Sequence, residues 1–512
     1  MGVATLPAMQ NGDDIRSPAT LPPTREKKFV LLLCVLAMLH VLVFSAAFPF
    51  FNNVDEGIHF DLVVKYSEGR VPQGKETISP DSASLLALMN SHAYLGTPDQ
   101  FPGGQLPPPA WTMSAGEQQR VMAARRASWQ AQQNYEVSQT PLYYALAALW
   151  WDIGQQAGLA DGRLVYWLRF FNVLPVVAAV WLAYAALRLV FFDNAFICIG
   201  VPALIAFMPQ TAFYSLGNDV LSPVCFGATF LCLLKWLRNP SASAGGLTGL
   251  AFAATYLTKI TNLPLLLIVA VVAVMKTCEP AERAYRRAST EALIGFFCCS
   301  LPLIAGWMVW CQINFGDITG SAVKTDFLGW TIKPFAQWWR HPIFLPVGFW
   351  TFLSGQLGTL WQGEFWWHHQ PMALPWTGVI YAILSLVLLG AAMPALSPRY
   401  STDPSQRYVL RISLTCFLAM LAFFAGLSVV YDFHNCPYPS REKPYFVSGR
   451  LLLGALIPFL LLIVCGLDRL LNRFGNIAKF AALTLIIMAI LAIEIATDQQ
   501  VFSNDYNWFH LP

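Results

Sequence analysis

Two adjacent carboxylates follow the first long apolar run of the chain. Asp55 and Glu56 lie in the segment NNVDEGIH at 52–59. Charged groups beside hydrocarbon are costly, so such a pair requires a structural or a catalytic role. Asn53 followed three residues later by Glu56 is typical of a helix N-cap, and early acidic residues favour the helix dipole. Both carboxylates are therefore catalytic candidates. The pattern makes Glu56 mostly a cap, and it favours Asp55, one helical turn from His59, as the catalytic group.

Five cationic side chains are candidates for holding an anion near Asp55: Lys65, Arg70, Arg169, Lys259 and Arg450. A lysine between two apolar runs costs roughly 2.5–3.5 kcal/mol at mid-depth in a membrane. Lys259 must therefore reach a polar cavity or a partner, and Asp219 is the candidate partner. For Arg169 and Arg450, extension of the side chain to the outer interface explains the sequence equally well.

A second polar group, His368 and His369, ends the aromatic segment FWWHH that follows Glu364. Neighbouring side chains diverge, so this pair does not predict a metal site. The segment is typical of an aromatic interfacial belt, and the alternative is that His368 lines a substrate site. No cofactor is predicted, and a divalent metal ion is possible but not indicated. The eleven cysteines lie mostly in apolar runs and indicate neither a zinc site nor a disulfide framework.

The composition indicates an integral membrane protein. Hydrophobic residues make up 56% of the 512 residues and charged residues only 12%, about half the charged share of a soluble domain. Apolar runs of roughly 20 residues recur, which is the length that crosses a hydrocarbon core. The net charge of +3 is too small to indicate a nucleic-acid partner. The fold class predicted is an all-α, polytopic membrane helical bundle.

Eleven spans are predicted, at 29–51, 168–187, 195–212, 219–237, 246–260, 261–275, 291–312, 374–396, 409–430, 449–467 and 480–497. The short loops that carry Lys and Arg are separated by even numbers of these runs. By the positive-inside rule, the N-terminus is cytoplasmic and the C-terminus lies outside. The fifth and sixth runs are short, and they predict a dipping hairpin that turns at 258–262.

This topology divides the chain into seven regions. They are a cytoplasmic tail (1–28), the first span (29–51), a large external loop (52–167), a membrane bundle (168–312), a second external loop (313–373), the late spans (374–497) and an external tail (498–512). The first loop is far longer than connections in compact domains. Ser114 and Glu117 form a capping-box pattern for an extramembrane helix there. The apolar segment at 140–151 is predicted to lie flat in the outer interface.

Several short motifs resemble the GT-C superfamily, the polytopic glycosyltransferases that use polyprenyl-phosphate sugars. An acidic residue directly after the first span, as at Asp55, is the catalytic base of those enzymes. The segment QTPLYY, which ends at Tyr143 and Tyr144, resembles their Pro-Pro-Leu-Tyr-Tyr element. Arg169 begins the next span much as a family arginine does, and Asp219 lies where a polar turn is common.

Two further motifs extend the resemblance, which covers roughly residues 29–467. Lys259 ends a segment similar to the GLALLTK hairpin, and Arg450 in Ser-Gly-Arg precedes a late span. Within the superfamily, the chain looks closest to an uncharacterised bacterial membrane-protein group with DExxHF and GRY-like signatures. Thr140 replaces the first proline of one motif and Leu451 the usual aromatic residue of another, so the subfamily is less well defined than the superfamily.

The resemblance implies an inverting glycosyltransferase of a bacterial inner membrane that works at the periplasmic face. It would move a sugar from an undecaprenyl-phosphate carrier to a glycan, lipid or protein acceptor, without a required cofactor. Asp55 would take the proton of the acceptor hydroxyl while cations hold the phosphate.

Two other classes of function remain open from the sequence. A transporter or flippase of a lipid-linked sugar should show internal repeats and charges deep in several spans, and neither is evident. A polysaccharide polymerase or ligase would depend on Arg and His in late loops and would leave Asp55 dispensable.

Overall fold

The structure is a computed structural model, and it describes residues 23–51, 55–278, 282–399 and 403–512. Within these ranges the chain is almost entirely helical. In the first half the helices are α1 (Pro23–Ala47), α2 (Glu56–Ser67), α3 (Pro80–Met89), α4 (Ala115–Gln130), α5 (Leu142–Gln156), α6 (Asp161–Phe170), α7 (Val173–Val190), α8 (Ala195–Ala206), α9 (Thr211–Tyr214), α10 (Ser222–Arg238) and α11 (Ala242–Thr258).

The second half continues with α12 (Leu263–Cys278), α13 (Arg283–Phe315), α14 (Ser321–Leu328), α15 (Phe335–Trp338), α16 (Pro346–Gln362), α17 (Pro375–Ala392), α18 (Pro404–Val430), α19 (Leu456–Leu470) and α20 (Gly475–Asp498). Three two-stranded antiparallel ribbons complete the described parts. They pair β1 (Glu76–Thr77) with β2 (Gln133–Asn134), β3 (Thr331–Ile332) with β6 (Tyr431–Asp432), and β4 (Trp366–Trp367) with β5 (Gln370–Pro371).

Nine helical segments within the described ranges are long and apolar enough to cross a membrane. They are Thr24–Ala47, Asp161–Val190, Asn218–Arg238, Ile260–Cys278, Arg283–Phe315, Pro375–Leu396, Pro404–Val430, Gly449–Leu470 and Asn472–His510. Helices α8 and α11 are shorter, and each corresponds to one further predicted span. All eleven apolar runs are therefore helical, which confirms the all-α polytopic fold class.

Helix α19 lies at the centre of the bundle. Every side chain from Leu456 to Leu467 is buried, and the helix packs against α8, α10, α17 and α18. Helices α1, α7, α8 and α10 pack against one another beside it. By contrast, α13 and α20 are mostly exposed, and Ile313, Leu485 and Ile477 present apolar surface outwards. A helix that is apolar on an exposed face fits contact with lipid.

Helices α11 and α13 approach closely because glycine occupies their contact face. A Cβ atom on Gly245 or Gly249 would collide with the carbonyl oxygens of Ala292 and Phe296. Small residues four apart allow this kind of backbone contact between membrane helices. The close packing holds the end of α11, and therefore the turn at Lys259 that follows it, in a defined place. The predicted hairpin turn is confirmed, since a short 3₁₀ segment at Ile260–Asn262 joins α11 to α12.

Several boundaries differ from the sequence prediction. Helix α1 ends at Ala47 and not at 51, because Pro49 disfavours helical backbone at the residue before it. Helix α2 begins at Glu56, with Asp55 as its N-cap residue. The expected N-cap residue of this helix, Asn53, lies outside the described residues. Ser114 is the N-cap residue of α4 as predicted, but its side chain makes no capping hydrogen bond, so that part of the capping-box prediction is wrong.

The region 313–373 contains a long apolar helix that the sequence interpretation did not separate from its loops. Helix α16 has 17 residues, which makes it about 25 Å long, and it packs against α17. Its buried face includes Phe352, Leu357 and Trp361, while Val347 and Phe349 are exposed. The segments on either side of α16 contribute to the site described below.

Candidate active site

Asp55 lies at the corner between α1 and α2, with its carboxylate directed into a cluster of charged side chains. The hydroxyl of Tyr135 donates to Asp55 Oδ1 at 2.5 Å. On the other side, Oδ2 lies 3.4 Å from Lys324 Nζ and 3.9 Å from Arg450 Nη2. Residue 55 is in the left-handed region, with φ 64° and ψ −2°. The carboxylate is therefore held beside two cations that it contacts only loosely.

Lys324, on α14, bridges Asp55 to a second carboxylate. Its ammonium also pairs with Glu136, which is buried. The other oxygen of Glu136 accepts from Gln139 Nε2 at 2.5 Å, and Gln139 Oε1 accepts from Asn218 Nδ2 at 3.1 Å. This chain of contacts connects the segment between α4 and α5 to the turn that precedes α10, and it positions the Lys324 ammonium.

His59, one turn after Asp55 on α2, is the buried histidine of the cluster. Its Nδ1 lies 2.8 Å from the hydroxyl of Tyr144, and the ring is buried. Burial lowers the pKa of His59 below its ordinary value, more than the neighbouring carboxylates raise it. The imidazole is therefore neutral at neutral pH. Gly217 lies against the edge of this ring, since a Cβ atom there would be 3.5 Å from His59 Cδ2.

Three of these side chains could together hold a metal ion. Ligand atoms of Asp55, His59 and Glu136 all lie within 4.8 Å of one another. A set of two carboxylates and one imidazole suits a divalent ion such as Mn²⁺ or Zn²⁺. However, the Lys324 ammonium contacts both carboxylates of this set. Lys324 therefore already supplies one positive charge at the place where a cation would bind.

Lys259 pairs with Asp219 at the opposite side of the cluster, as the sequence predicted. The extended backbone of Lys259 separates α11 from the 3₁₀ turn, and this places its ammonium beside the start of α10. Both side chains are largely buried, with 13% of the lysine and 7% of the aspartate side chain exposed. The pair makes it unnecessary for Lys259 to contact lipid.

Arg450 enters the cluster from the 3₁₀ segment Gly449–Ala455 that precedes α19. Its Nε lies 3.7 Å from Glu364 Oε2, which is beyond hydrogen-bond distance, and Nε has no hydrogen-bond partner. Glu364 is instead held by the hydroxyl of Ser448. A guanidinium normally makes several short hydrogen bonds. Arg450 is therefore a cation with unused donor capacity next to Asp55, and 19% of its side chain is exposed.

Burial and the nearby charges together shift the pKa values of Asp55 and Glu364 in opposite directions. Burial raises the pKa of Asp55, but Lys324, Arg450 and His59 together with the Tyr135 hydrogen bond outweigh it, and the pKa lies below the ordinary value. Burial raises the pKa of Glu364 more than Arg450 lowers it. Asp55 is thus ionised at neutral pH, and a cluster with such divergent carboxylates is typical of acid–base sites.

Glu56, which follows Asp55 directly, points away from this cluster. Its carboxylate is fully buried and accepts from Arg169 Nη2 at 2.7 and 2.9 Å and from the backbone N–H groups of Phe51 and Leu216. The expected partner of Glu56, Asn53, lies outside the described residues. Glu56 holds the α1–α2 corner to α6 through Arg169, which is a different structural task from the cap that the sequence suggested.

Arg169 has little capacity left for a substrate. Besides Glu56, its guanidinium donates to the carbonyl oxygens of Ser45 and Pro49 at 3.1 and 3.2 Å, and the side chain is fully buried. Its predicted role in substrate binding stays a prediction, but the contacts assign it to the α1–α2 corner. The contribution of Arg169 is to position Glu56, and thereby the backbone from which Asp55 projects.

Lys65 and Arg70 lie outside the cluster. The Lys65 ammonium is buried against Asp61 and Glu76, at 2.9 and 3.1 Å, and donates to the carbonyl of Thr77. It thereby attaches α2 to the β1 ribbon. Arg70 is exposed and pairs with Glu68 two residues away. Neither cation contacts a residue of the Asp55 cluster, and their predicted substrate contacts stay predictions.

Tyr143 and His368 lie at the edges of the site. The hydroxyl of Tyr143 accepts from the backbone N–H of Gly217 at 3.2 Å and so fixes the turn that lies against His59. His368 has a positive φ of 49°, and its backbone N–H donates to the carbonyl of Ala93. Its Nε2 is buried with no hydrogen-bond partner. This unpaired nitrogen could contact a ligand, and the prediction that His368 lines a substrate site stays a prediction.

Four residues of the cluster were missed by the sequence interpretation: Tyr135, Glu136, Lys324 and Glu364. Tyr135 and Glu136 directly precede the QTPLYY motif, and Glu364 begins the aromatic segment, so their positions beside motifs were the available signal. Lys324 had no comparable signal, because it is one of several charged residues in a loop far from Asp55 in sequence. The structure brings these four together with Asp55, His59, Asp219, Lys259 and Arg450.

The fold and the spans define a multi-pass helical membrane protein. The charged residues of its Asp55 cluster lie beside the end of the first span. A family model described as "Predicted membrane protein (DUF2142)" matches residues 38–433, and the chain belongs to that family. No curated protein matches the sequence.

Three solved structures of an oligosaccharyltransferase from Archaeoglobus fulgidus are similar to the chain. The apo form has 12% identity and a TM-score of 0.44, over 93% of this chain and 56% of that one. The complex with an inhibitory peptide and a dolichol-phosphate has 13% identity and a TM-score of 0.42 over the same shares. The complex with Zn and sulfate has 12% identity and a TM-score of 0.40, over 71% and 44%. The chain spans about half the length of these structures.

Proposed function

We propose that the chain is an inverting, GT-C-like glycosyltransferase that moves a sugar from a polyprenyl-phosphate carrier to an acceptor hydroxyl. The observation that carries the proposal is the position of Asp55 between two cations, Lys324, which also pairs with Glu136, and Arg450, whose Nε has no hydrogen-bond partner. A carboxylate alone would serve many reactions. A carboxylate with cations nearby suits the displacement of a phosphate, because the reaction needs a base on one face of the anomeric carbon and positive charge for the leaving phosphate on the other.

The reaction would proceed as a single displacement at the anomeric carbon of the donor sugar. The acceptor oxygen forms the new bond to this carbon, and the bond to the phosphate oxygen breaks. The polyprenyl phosphate leaves with the electron pair, and the acceptor proton passes to the Asp55 carboxylate. Attack from the side opposite the phosphate inverts the anomeric centre. Arg450, whose Nε has no hydrogen-bond partner, is the cation most ready to bind the leaving phosphate.

Donor binding would also activate the base. In the cluster as described, Lys324 and Arg450 hold the pKa of Asp55 below its ordinary value, and a weakly basic carboxylate is a poor proton acceptor. A bound phosphate would share the two cations and offset their charge, so that the pKa of Asp55 rises. The carboxylate would then accept a proton only when the donor is in place, which limits reaction with water.

A metal ion is not required by this proposal. The Lys324 ammonium contacts both carboxylates of the candidate metal group and offsets their charge. Transfer should therefore persist in the presence of a chelator, and loss of transfer on chelation with recovery on Mn²⁺ would assign Asp55 to metal binding.

The proposed location is the outer face of a bacterial inner membrane, with an undecaprenyl-phosphate carrier and a glycan, lipid or protein acceptor. It rests on the basic loops, which orient the bundle so that Asp55 lies at the external end of α1. Accessibility labelling tests it. A cysteine in place of Ser67, the last residue of α2, should react with a membrane-impermeant thiol reagent in intact cells with a permeable outer envelope. A cysteine in place of Ala284, near the start of α13, should not react. The reverse pattern would invert the topology.

The function itself is tested by deleting the gene and identifying the lipid-linked sugars that accumulate, by mass spectrometry. We expect one polyprenyl-monophosphate sugar to accumulate and to disappear on complementation with the wild-type chain. Complementation with Asp55→Asn should leave the accumulation unchanged. If Asp55→Asn removes it as well as the wild type does, the transferase proposal fails. Accumulation confined to the cytoplasmic leaflet would identify a flippase instead.

A further inference from the structure

A cavity of about 290 Å³, separate from the Asp55 cluster, lies beside the ribbon formed by β3 and β6. Its lining includes three cations, Lys333, Arg340 and Arg441, and one carboxylate, Asp432. It shares no lining residue with the Asp55 cluster. Binding sites for small molecules are commonly about 300–1,000 Å³ in volume, so the cavity is large enough for a polar head group but not for a large ligand.

The cavity carries a net positive charge. Arg441 lies 3.4 Å from Asp432, which offsets one of the three cations and leaves two. His341, which also lines the cavity, adds no charge, because burial and the neighbouring Lys333 lower its pKa to about 4. Its ring accepts from Ile343 N–H through Nδ1, and its Nε2 lies 3.1 Å from the carbonyl of Pro444.

The cavity lies at the level where a membrane span ends. The backbone N–H of Lys333 donates to the carbonyl of Val430 at 2.8 Å, and its ammonium contacts the carbonyl of Val429 at 3.4 Å. These are the last carbonyls of α18, which is one of the nine candidate spans. The end of a span is the depth of the lipid head groups.

The surface next to the cavity is aromatic and exposed. Trp339, in the segment that carries Arg340, is 67% exposed, and Phe335 and Phe344 are also exposed. Val347 at the start of α16 is 78% exposed. Aromatic and aliphatic side chains beside cationic groups are the composition of a segment that lies in the membrane interface.

We propose that this cavity binds a phosphate group at the membrane surface, with Arg340 and Arg441 as its ligands and the head group of an anionic phospholipid as its source. Arg340 has no ion-pair partner among the residues that the structure describes, and a guanidinium offers several donors in a geometry that matches phosphate. Lys333 contributes charge while it caps α18. The inference is independent of the proposed function, because the cavity and the Asp55 cluster have no residue in common.

The test compares retained lipid in the wild-type chain and in the double variant Arg340→Gln/Arg441→Gln. Both proteins are reconstituted in nanodiscs of phosphatidylcholine with a minor share of phosphatidylglycerol, and bound lipid is counted by native mass spectrometry after release into detergent. We expect phosphatidylglycerol to bind the double variant roughly 30-fold more weakly, at about five-fold for each basic group removed. Phosphatidylcholine binding should not change.

The matched control is Arg120→Gln/Arg126→Gln, which removes the same charge from the exposed face of α4. This control should retain phosphatidylglycerol as the wild type does, and the melting temperatures of all three proteins should agree. Competition by inorganic phosphate would assign free phosphate as the source, and its absence would assign the lipid head group. Equal phosphatidylglycerol binding by the wild type and the cavity variant, or equal loss in the control, would overturn the proposal.

Discussion

Asp55 and Glu56 are neighbours in sequence, but they lie in opposite electrostatic surroundings. Glu56 is fully buried, and short hydrogen bonds from Arg169 and two backbone N–H groups satisfy its carboxylate. Asp55 is partly exposed, and its two cations stay 3.4 and 3.9 Å away. A saturated ion pair cannot bind a substrate without first breaking. A loosely paired carboxylate can exchange partners at little cost. The comparison therefore distinguishes a charge with a structural role from a charge that can take part in a reaction.

The largest expected effect concerns Arg169→Met, which removes one member of the saturated pair. Removing one partner of a buried ion pair costs about 3–5 kcal/mol of folding free energy, because the remaining charge is left uncompensated. We expect a large fall in melting temperature, measured by size-exclusion chromatography after heating. Arg169→Lys keeps the charge but not the bidentate geometry, and it should lose less. A melting temperature near that of the wild type for Arg169→Met would show that Glu56 does not hold the corner.

The next effect concerns Asp55→Asn, which should leave stability unchanged and lower turnover. The amide keeps the shape but cannot take a proton, and loss of general base catalysis lowers a rate by about 100-fold or more. Turnover is measured with purified protein and the donor identified in the deletion strain. Binding of that donor should persist. Wild-type turnover in this variant would show that Asp55, like Glu56, has only a structural role.

A smaller effect concerns pH, through Lys324→Met. Lys324 is one of the charges that lower the pKa of Asp55, so its removal should raise that pKa. A base with a higher pKa is protonated already at mildly acidic pH, and the acidic limb of kcat/KM should therefore move to higher pH. The control is Lys75→Met. Lys75 is exposed and lies 3.3 Å from Asp326, which is on the same helix as Lys324. Its removal should leave the pH profile of kcat/KM unchanged. An unmoved limb in Lys324→Met would remove Lys324 from the active site.

The smallest effect concerns Arg70→Gln, in an exposed pair with Glu68. Such pairs contribute about 0–1 kcal/mol to stability. Neither the melting temperature nor turnover should change measurably. A large loss of donor binding in this variant would restore the sequence-based expectation that Arg70 contacts substrate.

Much of the fold could be predicted from the sequence, since every predicted span corresponds to a helix in the structure. The length and hydrophobicity of a run are local properties, and so is the proline at 49 that ends α1. Helix α16 was missed because its 17 residues include several glycines and polar residues, which weaken its hydropathy signal.

The sequence predicted only part of the site. Some of its residues have a local sequence signal, and others join it only through tertiary packing. Asp55, His59, Asp219, Lys259 and Arg450 each stand beside a recognisable motif or span end, and the structure brings them together. Lys324 joins the site only through the contact of α14 with the segment between α4 and α5, which no local pattern specifies. At Arg169 the charge at a span end predicts a ligand contact, which stays a prediction, and tertiary structure supplies Glu56 as a partner that no local pattern indicated.

The left-handed backbone at Asp55 has a consequence for how the chain would respond to selection. Asparagine and glycine adopt a φ of 64° at least as readily as aspartate, and other residues adopt it at a greater cost. The cations beside Asp55 favour its charge in the folded state, and this offsets the backbone preference for the two uncharged residues. A library of variants at this position that is selected for thermal stability alone should therefore retain aspartate, asparagine and glycine and lose β-branched residues. The same library selected for complementation of the deletion should retain only aspartate, and the divergence between the two outcomes would separate the backbone requirement of this position from its chemical one.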